Sequence, residues 1–596
     1  MSTLPQAPSD APAPPAPGRP ALIASRWFLG LVLLGLGLDF VFSPNEYEIL
    51  VPAGLGTLFV AAFLFDWIWR LPPVGRIFRH VRDTWLDTVL TFTVTLVGLE
   101  RCWVVYLGLS NREAEAAVEA AYRLFTAIFY LALLFKTFTG TARARSFFQS
   151  LGRSPSAMTA FTFAVFILVG ALLLCLPQAV PTVNHISFVD ALFIATSATC
   201  VTGLASVDIG TWYSSFGHVV IMLLIQAGGL GIITMSVLVP MLAGRRLEVR
   251  AESTLKEILE ADTLSEISRN IRLIFLFTFS IEAAGALILY ANWSARGVVE
   301  GAGARLFSSV FHVVSAFCNA GFSLFANNLE SFTGDWVTSL LIAGLIVVGG
   351  IGFPVLINLT GCARLWARGR RHRAKLSFHT KVVLTTTAAL IVAGTLLILL
   401  FEWHNTLAAL PAGDKVVAAI FQAITPRTAG FNTVPTGSMA LVTLFIIIVL
   451  MFIGASPQST GGGIKTTSFA VIVLTVRALL RRREHVEAFR RTLPPAIIYR
   501  VTALVFIAMC ICGLALGGLL ITESAQFVES LFEVVSAFGT VGLSMGITPK
   551  LTVVGKLIIT LTMFVGRIGP LTLAVALAER PLAGRFRYPD DHVIIG

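Results

Sequence analysis

Four times in this chain an apolar stretch runs into a glycine that is followed by a bulky apolar residue. The four are SATCVTGL (Ser197 to Leu204), SAFCNAGF (Ser315 to Phe322), TPRTAGF (Thr425 to Phe431) and SAFGTVGL (Ser536 to Leu543). Gly203, Gly321, Gly430 and Gly542 follow one another at roughly 110 residues, so the recurring object is a whole structural unit carried four times by one polypeptide. Four like units in a single chain can surround one axis.

The surroundings of that axis are a bilayer. With 596 residues, 56% hydrophobic and only 13% charged, and a mean hydropathy of +0.82, the chain cannot remain soluble as a globule. Apolar runs long enough for about 30 Å of hydrocarbon recur, for example Ala157 to Pro177 and Val337 to Phe353, and about twelve spans are expected in all. The net charge of +11 sits in alternate loops, among them Arg76, Arg79 and Arg82, Arg245, Arg246 and Arg250, and Arg481, Arg482 and Arg483. Intervening loops such as Ser43 to Glu48 and Ile521 to Ser530 carry no Lys or Arg. This alternation places the basic loops and both termini on the cytoplasmic side of the cytoplasmic (inner) membrane, and explains the charge without nucleic acid. Seven cysteines, mostly inside apolar stretches, argue against disulfides, and Cys510 with Cys512 lacks the companions of a zinc site. No cleavable signal peptide is evident, and the first residues form a Pro/Ala-rich tail that cannot build a core.

The expected organisation is a disordered tail over 1–22 and an extension with four spans over 23–150. Four units then follow over 157–243, 270–362, 379–480 and 497–580, with a cytoplasmic tail over 581–596. The fold class is an all-α polytopic membrane protein: four span, pore-helix, span repeats around a central pore, preceded by four extra transmembrane helices. Each unit reads as a span, a short amphiphilic segment, the glycine loop and a second span; in the second unit these are Ile271 to Trp293, Leu306 to Phe317, Cys318 to Phe322, and Trp336 to about Thr360. The segment before each glycine is too short to cross and ends in a hydrophilic loop, the pattern of a re-entrant half-helix. FHVVSAF (Phe311 to Phe317) and FEVVSAF (Phe532 to Phe538) differ at one position. A second motif recurs after each loop: GGLGI (Gly228 to Ile232), GGIGF (Gly349 to Phe353), TGGGIK (Thr460 to Lys465) and GRIGP (Gly566 to Pro570). Once per unit, these glycines read as positions near a narrow axis where side chains must be small, close helix packing being the simpler reading of any one of them.

Irregular backbone at membrane depth presents carbonyl oxygens to whatever occupies the axis, and stacked carbonyls replace the water shell of an alkali cation. Glycine permits the backbone angles and the close approach. These residues resemble the superfamily of potassium transporters that includes the bacterial Ktr and Trk membrane subunits and their plant and fungal relatives, over about Ala157 to the C-terminus. The resemblance implies an ion filter at Thr199, Cys200, Val201, Thr202 and Gly203; Cys318, Asn319, Ala320 and Gly321; Arg427, Thr428, Ala429 and Gly430; and Gly539, Thr540, Val541 and Gly542. Relatives that favour sodium often carry serine at the first glycine, so Gly203 implies potassium. The third loop is shorter: its glycine stands nine positions after Phe421, against ten after Phe311 and Phe532. Arg427 is expected behind the filter, bonded to carbonyls or an acidic neighbour. The resemblance further implies a homodimer and a separate cytoplasmic nucleotide-binding regulatory subunit, KtrA- or TrkA-like, with potassium as substrate and no organic cofactor in this chain.

GASPQSTGGGIKTT (Gly454 to Thr467) interrupts the span Val442 to Leu480 with residues that cannot continue a helix, and resembles that family's intramembrane gating loop. Gly454, Ser456, Gly461, Gly462, Gly463 and Lys465 are its candidate residues, with the intramembrane charge of Arg567 opposite as a structural bond to loop carbonyls or an electrostatic barrier. The four N-terminal spans lack the Arg or Lys at every third residue that a voltage sensor needs, since Arg123 and Lys136 stand thirteen apart. The alternative function is a sodium- or proton-coupled carrier, for which Glu282 is the candidate carboxylate. No nucleophile, base and metal cluster converge as an enzyme requires, and His312 on its half-helix reads as a packing or hydrogen-bonding residue.

Overall fold

The computed structural model describes residues 155–181, 186–231, 264–370 and 374–569, with helix side chains described from 160 and from 272. The chain divides into two units after Ser150, and the described residues all belong to the second. The N-terminal tail, the four-span extension, the loop after the first unit and the C-terminal tail lie outside the described residues.

Fourteen helices are numbered here in chain order, short helical turns aside. They are α1 (Pro155–Leu174), α2 (Phe188–Thr199), α3 (Ser215–Gly229), α4 (Leu264–Arg296), α5 (Ala302–Phe317), α6 (Trp336–Gly350), α7 (Phe353–Ala367), α8 (Phe378–Glu402), α9 (Ala412–Ile424), α10 (Leu441–Phe452), α11 (Thr466–Leu480), α12 (Pro495–Thr522), α13 (Phe527–Gly539) and α14 (Val553–Ile568). A small antiparallel pair, β1 (Glu487–Ala488) and β2 (Arg491–Thr492), is the one sheet among the described residues of an otherwise helical chain. Its two turn residues, Phe489 and Arg490, both have positive φ, as a two-residue hairpin turn requires.

The same succession of helix, short helix and third helix appears as α1–α3, α4–α6, α8–α10 and α12–α14. The third helix of each triplet also packs on the short helix of the next: α3 on α5, α6 on α9, α10 on α13, and α14 back on α2. Chain order therefore closes into a ring. The short helices lie at its inside. Every residue of α13 from Ser530 to Gly539 except Leu531 is buried, as is every residue of α5 from Ser308 to Phe317 except Val310. Among the described residues helices α4, α8 and α12 are the ones long and apolar enough to cross a membrane, and they leave leucines and isoleucines outward, such as Leu400 at 70% and Ile521 at 86% exposed. Such faces are costly in water and favourable in lipid.

One expected span is not continuous. The run from Trp336 to about Thr360 is two helices, α6 and α7, bent by 100°. Gly352 sits in the break at φ +91 and Pro354 opens α7, where its missing N–H costs nothing. The same feature recurs wherever the second motif stands: α3, α6 and α14 end after about 22–24 Å of rise, at 15 or 16 residues. The final glycines Gly231, Gly352, Gly463 and Gly569 all have positive φ. The first glycines are packing sites, since a Cβ at Gly228, Gly349 or Gly566 would strike the carbonyl oxygen of Thr199, Phe317 or Phe538 at the end of the preceding short helix. The motif thus serves close packing and a helix stop, the simpler of the two readings its glycines allow.

Candidate functional site

Near the end of each short helix a hydroxyl residue ties down the following loop. The N–H of Thr202, Ala320 and Val541 each donates to the carbonyl of the serine five residues back, Ser197, Ser315 and Ser536, at 2.7–2.8 Å. The serine hydroxyls of the first and fourth loops also accept from the N–H of Gly203 (3.0 Å) and Gly542 (3.1 Å). In the third loop the N–H of Ala429 reaches Thr425, four residues back, at 2.9 Å. One residue fewer is closed by a tighter turn, which is what the shorter count from Phe421 means. The residue two before each glycine is left-handed in all four loops: Val201 (φ +56), Asn319 (+62), Thr428 (+72) and Thr540 (+50). The glycines follow at φ +94, +68, +78 and +90. Four segments of different sequence share one backbone course.

That course brings the glycines together. A Cβ at Gly203 would meet the Ala320 carbonyl oxygen, at Gly321 that of Ala429, at Gly430 that of Val541, and at Gly542 that of Thr202. The neighbour relation runs through all four loops and returns to the first. A trans peptide points its N–H and the preceding carbonyl in opposite directions. With the N–H of Gly203 and Gly542 turned back to serine hydroxyls, the carbonyls of Thr202 and Val541 therefore turn away from their helices. Among the described residues no hydrogen bond reaches the carbonyls of Thr202, Ala320, Ala429 or Val541. Buried carbonyls without donors are a rarity in a folded interior, and a ring of them is a ready cation cradle.

The side chains of these loops face elsewhere. Asn319 sits 3.2 Å from the Thr428 hydroxyl, and its amide, oriented to accept there, donates to the carbonyls of Ala316 and Ile346 at 3.2 Å. Arg427 is buried and donates to the Thr387 hydroxyl on α8 at 3.2 Å, a partner that is neither a carbonyl nor a carboxylate as expected. Cys200 and Cys318 are buried, and Cys318 Sγ lies 3.9 Å from Glu282 on α4 and from Gln226 on α3. Outside the ring, Glu330 accepts from Asn432 (2.7 Å), and burial holds its carboxyl above the ordinary range against that bond.

Three side chains brace the loops from within: His312, in the hydrogen-bonding role expected of it, and Glu533 and Gln422, which no sequence signal singled out. His312 and Glu533 occupy the single position that distinguishes the twin segments. His312 donates from Nδ1 to the Ser308 carbonyl (2.7 Å), which leaves Nε2 to accept from Leu324 N–H (3.3 Å) and to meet the Ser323 hydroxyl (3.0 Å). Glu533 accepts from Ser544 (2.8 Å) and from Thr548. Ser323 and Ser544 each stand two residues after their glycine. In the third loop Gln422, at the matching place, accepts from the N–H groups of Thr433 and Val434 at 3.2 Å.

The segment between α10 and α11 is a loop over 453–465, two residues shorter at its end than expected because Thr466 and Thr467 open α11. It lies directly against the glycine loops. Gly462 N–H donates to the Thr540 hydroxyl (3.0 Å), and a Cβ at Gly461 would strike the Thr428 hydroxyl. On another side, Ser456 N–H donates to the Gly350 carbonyl (3.0 Å) and Phe353 N–H to Gln458 (3.1 Å), joining the loop to the α6–α7 bend. Gly454 N–H bonds Ile464 (2.8 Å), and Lys465 Nζ donates to the Gly461 carbonyl (2.7 Å), folding the loop on itself. Gly463, at φ +66, lies 3.3 Å from both Gly454 and Gly539 by an added Cβ. The two terminal nitrogens of Arg567 donate to the carbonyls of Thr460 in this loop and Gly228 at the end of α3.

This geometry meets its relatives in sequence. Residues 124–586 match the TrkH family, described as cation transport protein. The chain belongs to the TrkH family. It is 44% identical to the Ktr system potassium uptake protein B of Bacillus subtilis (strain 168) over 74% of this chain and 97% of that one. The corresponding protein of Vibrio alginolyticus is 40% identical over 73% and 93%, and the potassium/sodium uptake protein NtpJ of Enterococcus hirae 34% identical over 74% and 97%. The crystal structure of the potassium transporter TrkH from Vibrio parahaemolyticus shares the fold, with a TM-score of 0.59 at 19% identity, covering 84% of this chain and 98% of that one. The chain is a helical, multi-pass membrane protein of a transport family and not an enzyme.

Proposed function

We propose that this chain carries potassium into the cell across the cytoplasmic membrane, as a gated, channel-like transporter. The closed ring of Gly203, Gly321, Gly430 and Gly542 supports this reading, since a Cβ on each would strike the carbonyl that precedes the glycine of a neighbouring loop. The names of the relatives, potassium uptake proteins in two organisms, support the substrate. In this reading the four helix triplets are pore repeats with the boundaries expected from sequence, the loop residues Thr199 to Gly203, Cys318 to Gly321, Arg427 to Gly430 and Gly539 to Gly542 form the filter, and the loop over 453–465 with Arg567 is the gate. The protein works as a homodimer with both termini cytoplasmic, joined there by a separate nucleotide-binding regulatory subunit.

Cation-resolved uptake into proteoliposomes tests the reading. Rubidium or potassium should enter down its gradient with no change of internal pH, and sodium about tenfold more slowly, a preference worth only about 1.4 kcal/mol. Uptake that requires a proton or sodium gradient would instead favour the coupled carrier, for which Glu282, nine-tenths buried beside the second loop, is the carboxylate at hand.

The bracing residues give a second expectation. Glu533→Ala removes acceptors for Ser544 and Thr548, and a buried donor left without a partner costs about 1–3 kcal/mol. Potassium preference should fall and the melting temperature in detergent drop, with Glu533→Gln intermediate because one acceptor oxygen survives. An unchanged sodium-to-potassium uptake ratio in Glu533→Ala would remove this residue from the filter's support.

A further inference from the structure

Helices α8 and α11 pack side by side, and between them opens a cavity of about 740 Å³ whose lining includes no residue of the glycine loops or of the 453–465 loop. Its walls are mostly hydrocarbon, with Leu390 and Ala393 on α8 and Phe469, Val473 and Leu474 on α11, and Thr385 and Thr386 as the polar exceptions on α8. Alanines at 389, 393 and 470 keep the facing surfaces low and so make the slot. One end is closed by the β1–β2 hairpin, which is docked through Val486 and Leu493 on the cluster of Val471, Ala478 and Phe378. At that end the lining changes character to Arg477, Arg481 and Arg483 with a single carboxylate, Glu487. Glu487 pairs with Arg483 at 3.4 Å, and among the described residues Arg477 and Arg481 have no carboxylate partner.

We infer that this slot binds an anionic phospholipid, with an acyl chain between α8 and α11 and the phosphate at Arg477 and Arg481. Charge complementarity decides the occupant. Basic pockets between membrane helices bind anionic head groups, and guanidinium forks match phosphate oxygens in pairs. A free phosphate leaves the hydrocarbon walls unused, and a zwitterionic lipid brings its ammonium group toward two unpaired arginines. The C-terminal end of α11 carries about half a negative charge that disfavours an anion. Three guanidiniums against one carboxylate outweigh it.

The site also touches the gate reading. Helix α11 begins at Thr466, whose hydroxyl meets that of Ser456 at 2.9 Å and whose N–H bonds the Ala455 carbonyl. A lipid that holds α11 against α8 therefore restrains one root of the 453–465 loop, a consequence that rests on that loop being the gate. The binding itself does not depend on it.

Native mass spectrometry of the full-length protein, purified in detergent and exchanged into mixed phosphatidylglycerol and phosphatidylcholine, tests the binding directly. Phosphatidylglycerol should be retained preferentially. Arg477→Gln with Arg481→Gln should reduce that retention about thirtyfold, each arginine near a lipid head group being worth about 1 kcal/mol. Ala389→Trp, which fills the apolar slot and spares the arginines, should reduce it as well. Arg368→Gln with Arg370→Gln, basic residues of the same chain away from the slot, should not. Equal retention of the two lipids, retention that survives both slot variants, adducts of inorganic phosphate that outlast delipidation, or cross-links placing a second copy in the slot would each overturn the inference. Rubidium uptake measured on the same variants separates the two readings, because lost lipid with unchanged flux removes only the link to the gate.

Discussion

Gly203→Ser should collapse discrimination between potassium and sodium about tenfold or more in proteoliposome uptake, while leaving the protein folded. Two costs meet at this residue. At φ +94 a side chain is strained by about 1–3 kcal/mol. Its Cβ would also strike the Ala320 carbonyl oxygen, with Gly321 Cα only 3.2 Å away. The obstacle is backbone of the next loop and cannot swing aside as a flexible side chain would. Relief must come from moving the Ala320 carbonyl, one of the four unbonded oxygens, and only about 1.4 kcal/mol of lost preference is a factor of ten. Gly301→Ala separates the two costs, because Gly301 has φ +83 with open space around it. That variant should lose stability and keep its selectivity. If Gly203→Ser keeps the wild-type ratio of potassium to sodium uptake, the carbonyl ring is not the filter.

The sequence showed the four loops because their requirement is local. A positive-φ glycine after a buried short helix leaves a mark wherever it occurs, and four marks at even spacing locate the ring. The interrupted α10–α11 segment was visible for the same reason, its glycines and proline excluding a helix over most of the stretch. What stayed hidden depended on partners. The GGIGF motif showed glycines without showing that Gly349 yields to the Phe317 carbonyl while Gly352 turns the chain through 100°. Apolar periodicity runs straight through such a bend, because both helices are apolar. Likewise the hydrogen-bonding role of His312 is legible on its half-helix, but not that Glu533 in the twin segment shares it, both reaching a hydroxyl two residues past the glycine. The place of Arg427 behind its loop follows from sequence, but no pattern there points to Thr387, forty residues earlier, as its partner.

Removing the restraint on the 453–465 loop should raise flux, and the size of the rise follows from how the loop is held. Among the described residues Arg567 alone ties the loop to another triplet by charge, since its nitrogens donate at once to Thr460 and to Gly228. Charge-assisted bonds of this kind contribute about 1.5–3 kcal/mol each, and water or other donors recover part of that once the side chain is gone. A remainder of about 1–2 kcal/mol shifts a closed-to-open balance roughly tenfold. Arg567→Ala should therefore raise potassium flux about tenfold in liposomes that contain this chain alone. Arg567→Lys should do nearly as much, because a single ammonium on a flexible stem does not hold both carbonyls as a planar fork does. Deleting Gly461 to Gly463 should raise flux further. It takes away the Gly462 bond to Thr540 and the carbonyls that hold Lys465, so the loop loses its contact with the glycine ring from below. The remaining contacts of Ser456 with Gly350 and of Phe353 with Gln458 should keep the α6–α7 bend in place, so the deletion variant should still fold and still prefer potassium. Higher flux with preserved preference is the outcome that separates a gate from a filter. Flux unchanged in both Arg567→Ala and the deletion would make the loop a scaffold for the ring instead.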